Sequence, residues 1–184
     1  PDGTYVGGLV EQVATNEDDV LQAINTGEKH RSVGATLMNT DSSRSHLLLQ
    51  LTVTGYNKIS KATTVGKLTL VDLAGSERVS KTEASGERLV EAAAINKSLS
   101  ALGQVFKSLA TNSPHIPYRN SKLTHVLQDS LGGDSKTAVF VNVSPLEENL
   151  SETHMTLKFG QGIRKIELGP ASKHKKPGLP KPRK

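Results

Sequence analysis

A chain of 184 residues is long enough to bury one good core, and its 35% hydrophobic content is low but still that of a globular protein. With no Cys there is neither a disulfide framework nor a thiolate metal site, and no apolar run approaches the roughly 18 residues of a membrane span, so an intracellular chain with no membrane partner is expected. The net charge of +5 is unevenly placed: six of the 23 basic residues lie in "KHKKPGLPKPRK" at residues 173–184, leaving the rest at 17 basic against 18 acidic.

The chain opens without Met on "PDGTYVGGL", which reads as a cut inside a domain. "NEDDVLQAINTGEKHR" puts Val20, Leu21 and Ile24 on one helical face, with a start at Asn16 and a stop at Gly27. A polar loop, "SVGATLMNTDSSR", follows. "SHLLLQLTVTGYN" and "TTVGKLTLVDL" read as two strands, joined as a hairpin by the polar turn around Asn57 to Thr63. From Arg88 to Ala110, Leu89, Ala92, Ile95, Leu99, Leu102, Val105, Phe106 and Leu109 recur at three- and four-residue spacings, the pattern of a long amphipathic helix. "NSPHIPYRN" is a Pro-broken loop, "SKLTHVLQDSLGG" a Ser-capped helix ended by glycines, "KTAVFVNVSP" a buried strand, and "NLSETHMTLKFGQGIRKI" a last helix. This alternation predicts a mixed α/β domain over residues 1–168 and a basic, disordered or extended tail over 169–184.

Two loops carry chemistry. "VDLAGSE", Val71 to Glu77, places an Asp at the end of an apolar strand and a Gly just beyond it, the arrangement with which P-loop NTPases sense a terminal phosphate. The cradle that such a sensor needs, G-x-x-x-x-G-K-[ST], is absent: the one Gly-Lys pair, Gly66 and Lys67, runs into a strand instead. "NTDSSRSH", Asn39 to His46, offers adjacent hydroxyls for Mg²⁺ and phosphate and an Arg for a carboxylate. A Ser-rich loop alone is usually turn chemistry, but joined to the Asp72 loop it becomes two loops at one end of a sheet, where open α/β sheets bind ligands. The six His residues show no paired ligand spacing, and His46 is expected to make structural hydrogen bonds. With three Phe, three Tyr and no Trp, stacking on single-stranded nucleic acid is not expected.

These motifs, with "INKSLSALGQVFKSL" and "HIPYRNSKLTHVLQDSLGGDSKT", resemble switch I, switch II, the relay helix and the microtubule-binding unit of the kinesin motor domain, from about Tyr5 to Ile166. The ending "IRKIELGP" is similar to the C-terminal-motor, kinesin-14 class. The resemblance implies the C-terminal part of a kinesin-type P-loop NTPase fold, a central mixed sheet flanked by helices, with the P-loop half absent from this chain. It implies ATP and Mg²⁺ as cofactors, held by Asn39, Ser42, Ser43, Asp72 and Gly75. In this reading Ser43 ligates Mg²⁺, Asp72 reaches it through water, Gly75 N–H meets the γ-phosphate, and an Arg44–Glu77 ion pair closes the site. The implied partner is the microtubule, contacted through Arg78, Lys81, Asn96, Lys97, His115, Arg119 and Lys122. Minus-end-directed movement in the cytoplasm and cytoskeleton, and dimerisation through upstream segments, follow from the same likeness. Two function classes stay open: an ATP-hydrolysing motor, inactive as this chain alone, and a nonhydrolysing microtubule-binding module or adaptor.

Overall fold

The computed structural model describes residues 4, 6–34, 44–76, 86–133, 135–167 and 175–176. Helix α1, Glu17–Gly34, begins where the Asn16 Oδ1 accepts the Asp19 backbone N–H at 2.9 Å. The Asp19 carboxylate in turn accepts the Thr15 backbone N–H at 2.7 Å and its hydroxyl at 2.8 Å. Amides that a helix start leaves unpaired are satisfied this way, and three acidic side chains in the first turn face the positive end of the helix dipole. The bonds from Thr15 hold the Asp19 carboxyl below its ordinary range.

The expected stop at Gly27 is overturned, since α1 continues to Gly34. A glycine inside a helix costs only about 1 kcal/mol, which tertiary contacts offset. Here Gly27 comes close to another element, since a Cβ on it would sit 3.8 Å from Leu47 Cδ1.

Strands β1, Leu47–Tyr56, and β2, Thr63–Asp72, form the expected antiparallel hairpin, in register from Leu47 opposite Asp72 to Tyr56 opposite Thr63. The turn is built by Asn57, whose Oδ1 accepts the Ile59 N–H at 2.9 Å and the Ser60 N–H at 3.0 Å, with Lys61 at φ 57°. A short third strand, β3 at Lys175–Lys176, pairs antiparallel with Thr64 and Thr63.

Helix α2, Glu87–Ala110, matches the periodicity that predicts it and supplies the centre of the core. Leu102, Val105 and Phe106 pack against Leu123, Leu127 and Leu131, with Leu48 of β1 and Ile163 at the margin. Leu123 sits on α3, Lys122–Val126, while Leu127 and Leu131 flank the 3₁₀ turn Gln128–Ser130 that follows it. Helix α4, Leu150–Ile163, closes the other side of α2 with an edge-to-face contact between Phe106 and Phe159 at 5.7 Å. At its N-terminal end α2 departs from the apolar pattern, with Leu89 exposed.

"KTAVFVNVSP" is neither paired into a sheet nor buried, contrary to expectation. Residues 136–145 join no strand ladder among the described residues, and Phe140 is 88% exposed. An apolar run suits a segment to burial, but strand character needs a neighbour that pairs with it, and no described strand does so here although β1 is an edge strand with one side open.

Candidate functional site

The register of the hairpin builds the site. Because Leu47 lies opposite Asp72, the residues entering β1 and those leaving β2 meet at one end of the sheet. His46 thus stands beside Ala74 and within reach of the Asp72 charge, although they are far apart in sequence, and Arg44 lies two residues before it. Asn39, Ser42, Ser43 and Glu77 lie outside the described residues, as do Arg78 and Lys81.

Asp72 ends β2 with a well-exposed carboxylate whose Oδ2 is 3.3 Å from Arg31 Nη1, near the end of α1. The guanidinium is largely buried while the carboxylate faces outward, so Arg31 holds the acid at the sheet end and leaves it directed to solvent. Arg44 Nη1 lies 3.8 Å from Glu91 Oε2 on α2, a long ion pair. The expected Arg44–Glu77 pair involves a residue beyond the described ones, whereas the carboxylate recorded near Arg44 belongs to α2.

His46 is bonded at both ring nitrogens. Its Nδ1 accepts the backbone N–H of buried Ala74 at 3.0 Å, and its Nε2 is 2.6 Å from Ser98 Oγ on α2. An amide nitrogen can only donate, so the ring proton resides on Nε2 and is given to Ser98 Oγ. That hydroxyl then donates to the Ile95 carbonyl at 2.7 Å. The ring is neutral, and burial pushes its pKa below the ordinary histidine value, against the smaller upward pull of the Asp72 charge.

The expected track-facing residues are carried on α2 and on the unit packed against it. Lys97, His115, Arg119 and Lys122 are exposed, and Asn96 is half-buried. Arg119 sits on the 3₁₀ turn Tyr118–Asn120, fastened to α2 by a 2.9 Å bond from Asn120 Nδ2 to Gln104 Oε1. Lys122 opens α3 directly after the Ser121 cap.

Sequence reasoning missed Arg31, Glu91 and Ser98. Each reaches its partner across elements, and an ordinary polar residue on a helix surface carries no local mark of such a contact.

The comparisons with known proteins agree with the motifs. The family model described as "Kinesin motor domain" matches residues 1–166. The chain is 55% identical over 173 residues to the kinesin-like protein KIN-14R of Arabidopsis thaliana, covering 94% of this chain and 16% of that protein. With KIN-14S of the same plant it shares 56% identity over 168 residues, covering 91% of this chain and 22% of that protein. A solved structure described as that of a fast kinesin superposes with a TM-score of 0.83 at 46% identity, covering 96% of this chain and 50% of that one. The motor domain of the Kar3-like kinesin from Ashbya gossypii gives a TM-score of 0.72 at 41% identity, covering 88% of this chain and 49% of that one. The chain therefore spans about half of these solved structures and a smaller share of the curated relatives. These neighbours bear out the α/β kinesin-type fold and the likeness to the kinesin-14 class, and with the family model matched over residues 1–166 the chain belongs to the kinesin motor-domain family.

Proposed function

We propose that this chain forms part of a microtubule motor that couples ATP hydrolysis to movement, with the end of β2 and the entry to β1 as its nucleotide-sensing face. The pairing of Leu47 with Asp72 carries the reading, because it brings the Arg44 loop and the Asp72–Gly75 loop side by side. The described residues fit ATP and Mg²⁺: the exposed Asp72 carboxylate suits a hard cation, and Gly75 has no Cβ to keep its backbone from a phosphate. On this reading Ser43 and Asp72 hold the metal, the latter through water, while Asn39, Ser42 and Gly75 hold phosphate. When bound, ATP supplies the phosphoanhydride bond whose hydrolysis drives the cycle. Arg44 and Glu77 close the site as an ion pair, so Arg44 leaves Glu91 on closure. A loop that closes around a bound phosphate and opens on its release is a natural two-state element.

Tubulin is acidic, and Arg78, Lys81, Asn96, Lys97, His115, Arg119 and Lys122 are assigned to meet it. The kinesin-14 likeness supports minus-end direction and a place on the cytoplasmic cytoskeleton, with dimerisation through segments outside this chain.

The test uses a complete motor containing these residues. Glu77→Ala is expected to bind ATP nearly as the parent does while its microtubule-activated turnover falls about a hundredfold, the loss typical of a group acting chiefly in the transition state. Unchanged turnover in the variant overturns the assignment. A parent motor that binds microtubules without hydrolysing ATP favours the nonhydrolysing binding module.

A further inference from the structure

We propose that His46 is a positioning residue that transmits the state of the Asp72–Gly75 loop to helix α2, through the hydrogen-bond chain from the Ala74 amide to the Ser98 hydroxyl. The inference rests on the nucleotide-sensing reading above and adds a physical connection from that loop to the helix bearing Asn96 and Lys97.

Three observations carry it. His46 is joined at both ring nitrogens, to the Ala74 backbone at 3.0 Å and to Ser98 at 2.6 Å, and these partners belong to different elements. Every proton in the chain has a fixed direction, from Ala74 N–H to Nδ1, from Nε2–H to Ser98, and from Ser98 to the Ile95 carbonyl. A shift of the Ala74 amide therefore cannot be absorbed by swapping donor and acceptor; the ring and Ser98 must follow, or a bond must break. Finally, Ser98 does not stand alone on α2. Seven residues earlier, Glu91 meets Arg44, so residues entering β1 touch α2 at two points one heptad apart, on nearly the same helix face.

The neighbouring packing gives the connection little slack. Ala74 is 5% exposed and adjoins Gly75 directly, so only the two backbone dihedrals of one buried residue separate the Gly75 N–H from the Ala74 N–H that His46 holds. Ser98 lies one turn before the core residues Ala101 and Leu102, which anchor α2 to the rest of the fold.

The discriminating quantity is the ratio of microtubule dissociation constants in ADP and in a nonhydrolysable ATP analogue. A defect that merely loosens the fold weakens both states alike, whereas a broken connection brings the two constants together. The complete motor is compared with Ser98→Ala, His46→Asn and the double variant by co-sedimentation. Ser98→Ala removes the acceptor while favouring the helix. His46→Asn keeps an oxygen near the Nδ1 position to accept from Ala74 but cannot reach Ser98.

Each single variant is expected to shrink the ratio by about fivefold or more, the lower range of allosteric couplings, and the double variant no further, since both cut the same link. Basal ATPase of Ser98→Ala should stay within about twofold of the parent, the remainder of the site being unaltered. An unchanged ratio in Ser98→Ala, or singles whose effects multiply in the double, overturns the connection while the nucleotide-sensing reading stands. A complete motor without ATPase activity overturns both.

Discussion

At the scale of single residues, His46 makes a pH prediction with a definite sign. Burial lowers its folded pKa below the ordinary 6.5, so as pH falls the unfolded chain takes up the proton first. Its contribution to stability is full above about 6.5, is lost as pH falls from there, and stops declining once pH is below the folded pKa. The charges around it are Asp72 at the end of β2, Arg31 on α1 bound to that carboxylate, and the Arg44–Glu91 pair between the β1 entry and α2. Thermal melts of the complete motor at pH 7.5 and 5.5 should show a drop in Tm that His46→Asn partly removes. Equal pH dependence in parent and variant would refute the argument. The sequence anticipates a hydrogen-bonded His46 but not its partners, because Ser98 is 52 residues away and Ala74 offers only a backbone amide. Arg31 is likewise hidden: 41 residues separate it from Asp72, and only the packing of α1 on the hairpin makes them neighbours.

At the scale of elements, α3 shows how a short helix survives. Five residues are too few to hold helical structure alone, so its ends and its contacts must supply the stability. Ser121 Oγ accepts the Thr124 N–H at 3.0 Å, Thr124 Oγ1 accepts the Ser121 N–H at 3.2 Å, and the Thr124 hydroxyl, fully buried, donates to the Tyr118 carbonyl at 2.7 Å. Ser121→Ala should destabilise the complete motor by about 1 kcal/mol, seen as a lower urea midpoint with unchanged slope. This cap is legible in the sequence because Ser before an apolar-periodic run is a local signal. The hairpin is legible for the same reason, from two apolar runs and a turn rich in Asn, Ser and Lys. Residues 136–145 mislead because their apolar run states only that they suit burial, not which neighbour buries them. The same α3 unit carries the track prediction: Arg119→Ala with Lys122→Ala should weaken microtubule co-sedimentation and flatten its salt dependence, because screened charge contacts supply much of the attraction. Basal ATPase should barely change; loss of basal activity together with binding would show the surface to be misplaced.

At the scale of the whole molecule, the buried apolar set is small, among the described residues, against the apolar side chains left open. Leu68 and Leu70 of the hairpin are each 50% exposed and Phe140 is 88% exposed, while the main cluster of buried side chains is confined to α2, α3 and the turn after it. Such open faces and unpaired strand edges favour association over a cooperative monomer. The isolated chain should melt broadly, bind hydrophobic dye and show no tight ATP binding. A sharp, reversible melt with micromolar ATP affinity would contradict this. The sequence reveals the missing phosphate cradle, since a search for a fixed motif has a definite answer. How much apolar surface stays uncovered is beyond its reach, because exposure is set jointly by every element and not by any one run of residues.

The position of Ser98 on α2 has a mechanical consequence. Helix α2 has 24 residues, so it is about 36 Å long, and Ser98 lies close to its midpoint. With the buried Ala101 and Leu102 as the fulcrum, a push at Ser98 acts on a short arm of about 5 Å, against about 20 Å from the fulcrum to the N-terminal end. Tilting the helix by about ten degrees about that point moves Ser98 by less than about 1 Å and sweeps the N-terminal tip through roughly 3 to 4 Å. Asn120, bonded to Gln104 on the C-terminal arm, would be carried along, and Arg119 with it. A displacement smaller than the length of the His46–Ser98 hydrogen bond can in this way be geared up into a stroke comparable to that bond at the far end of the helix.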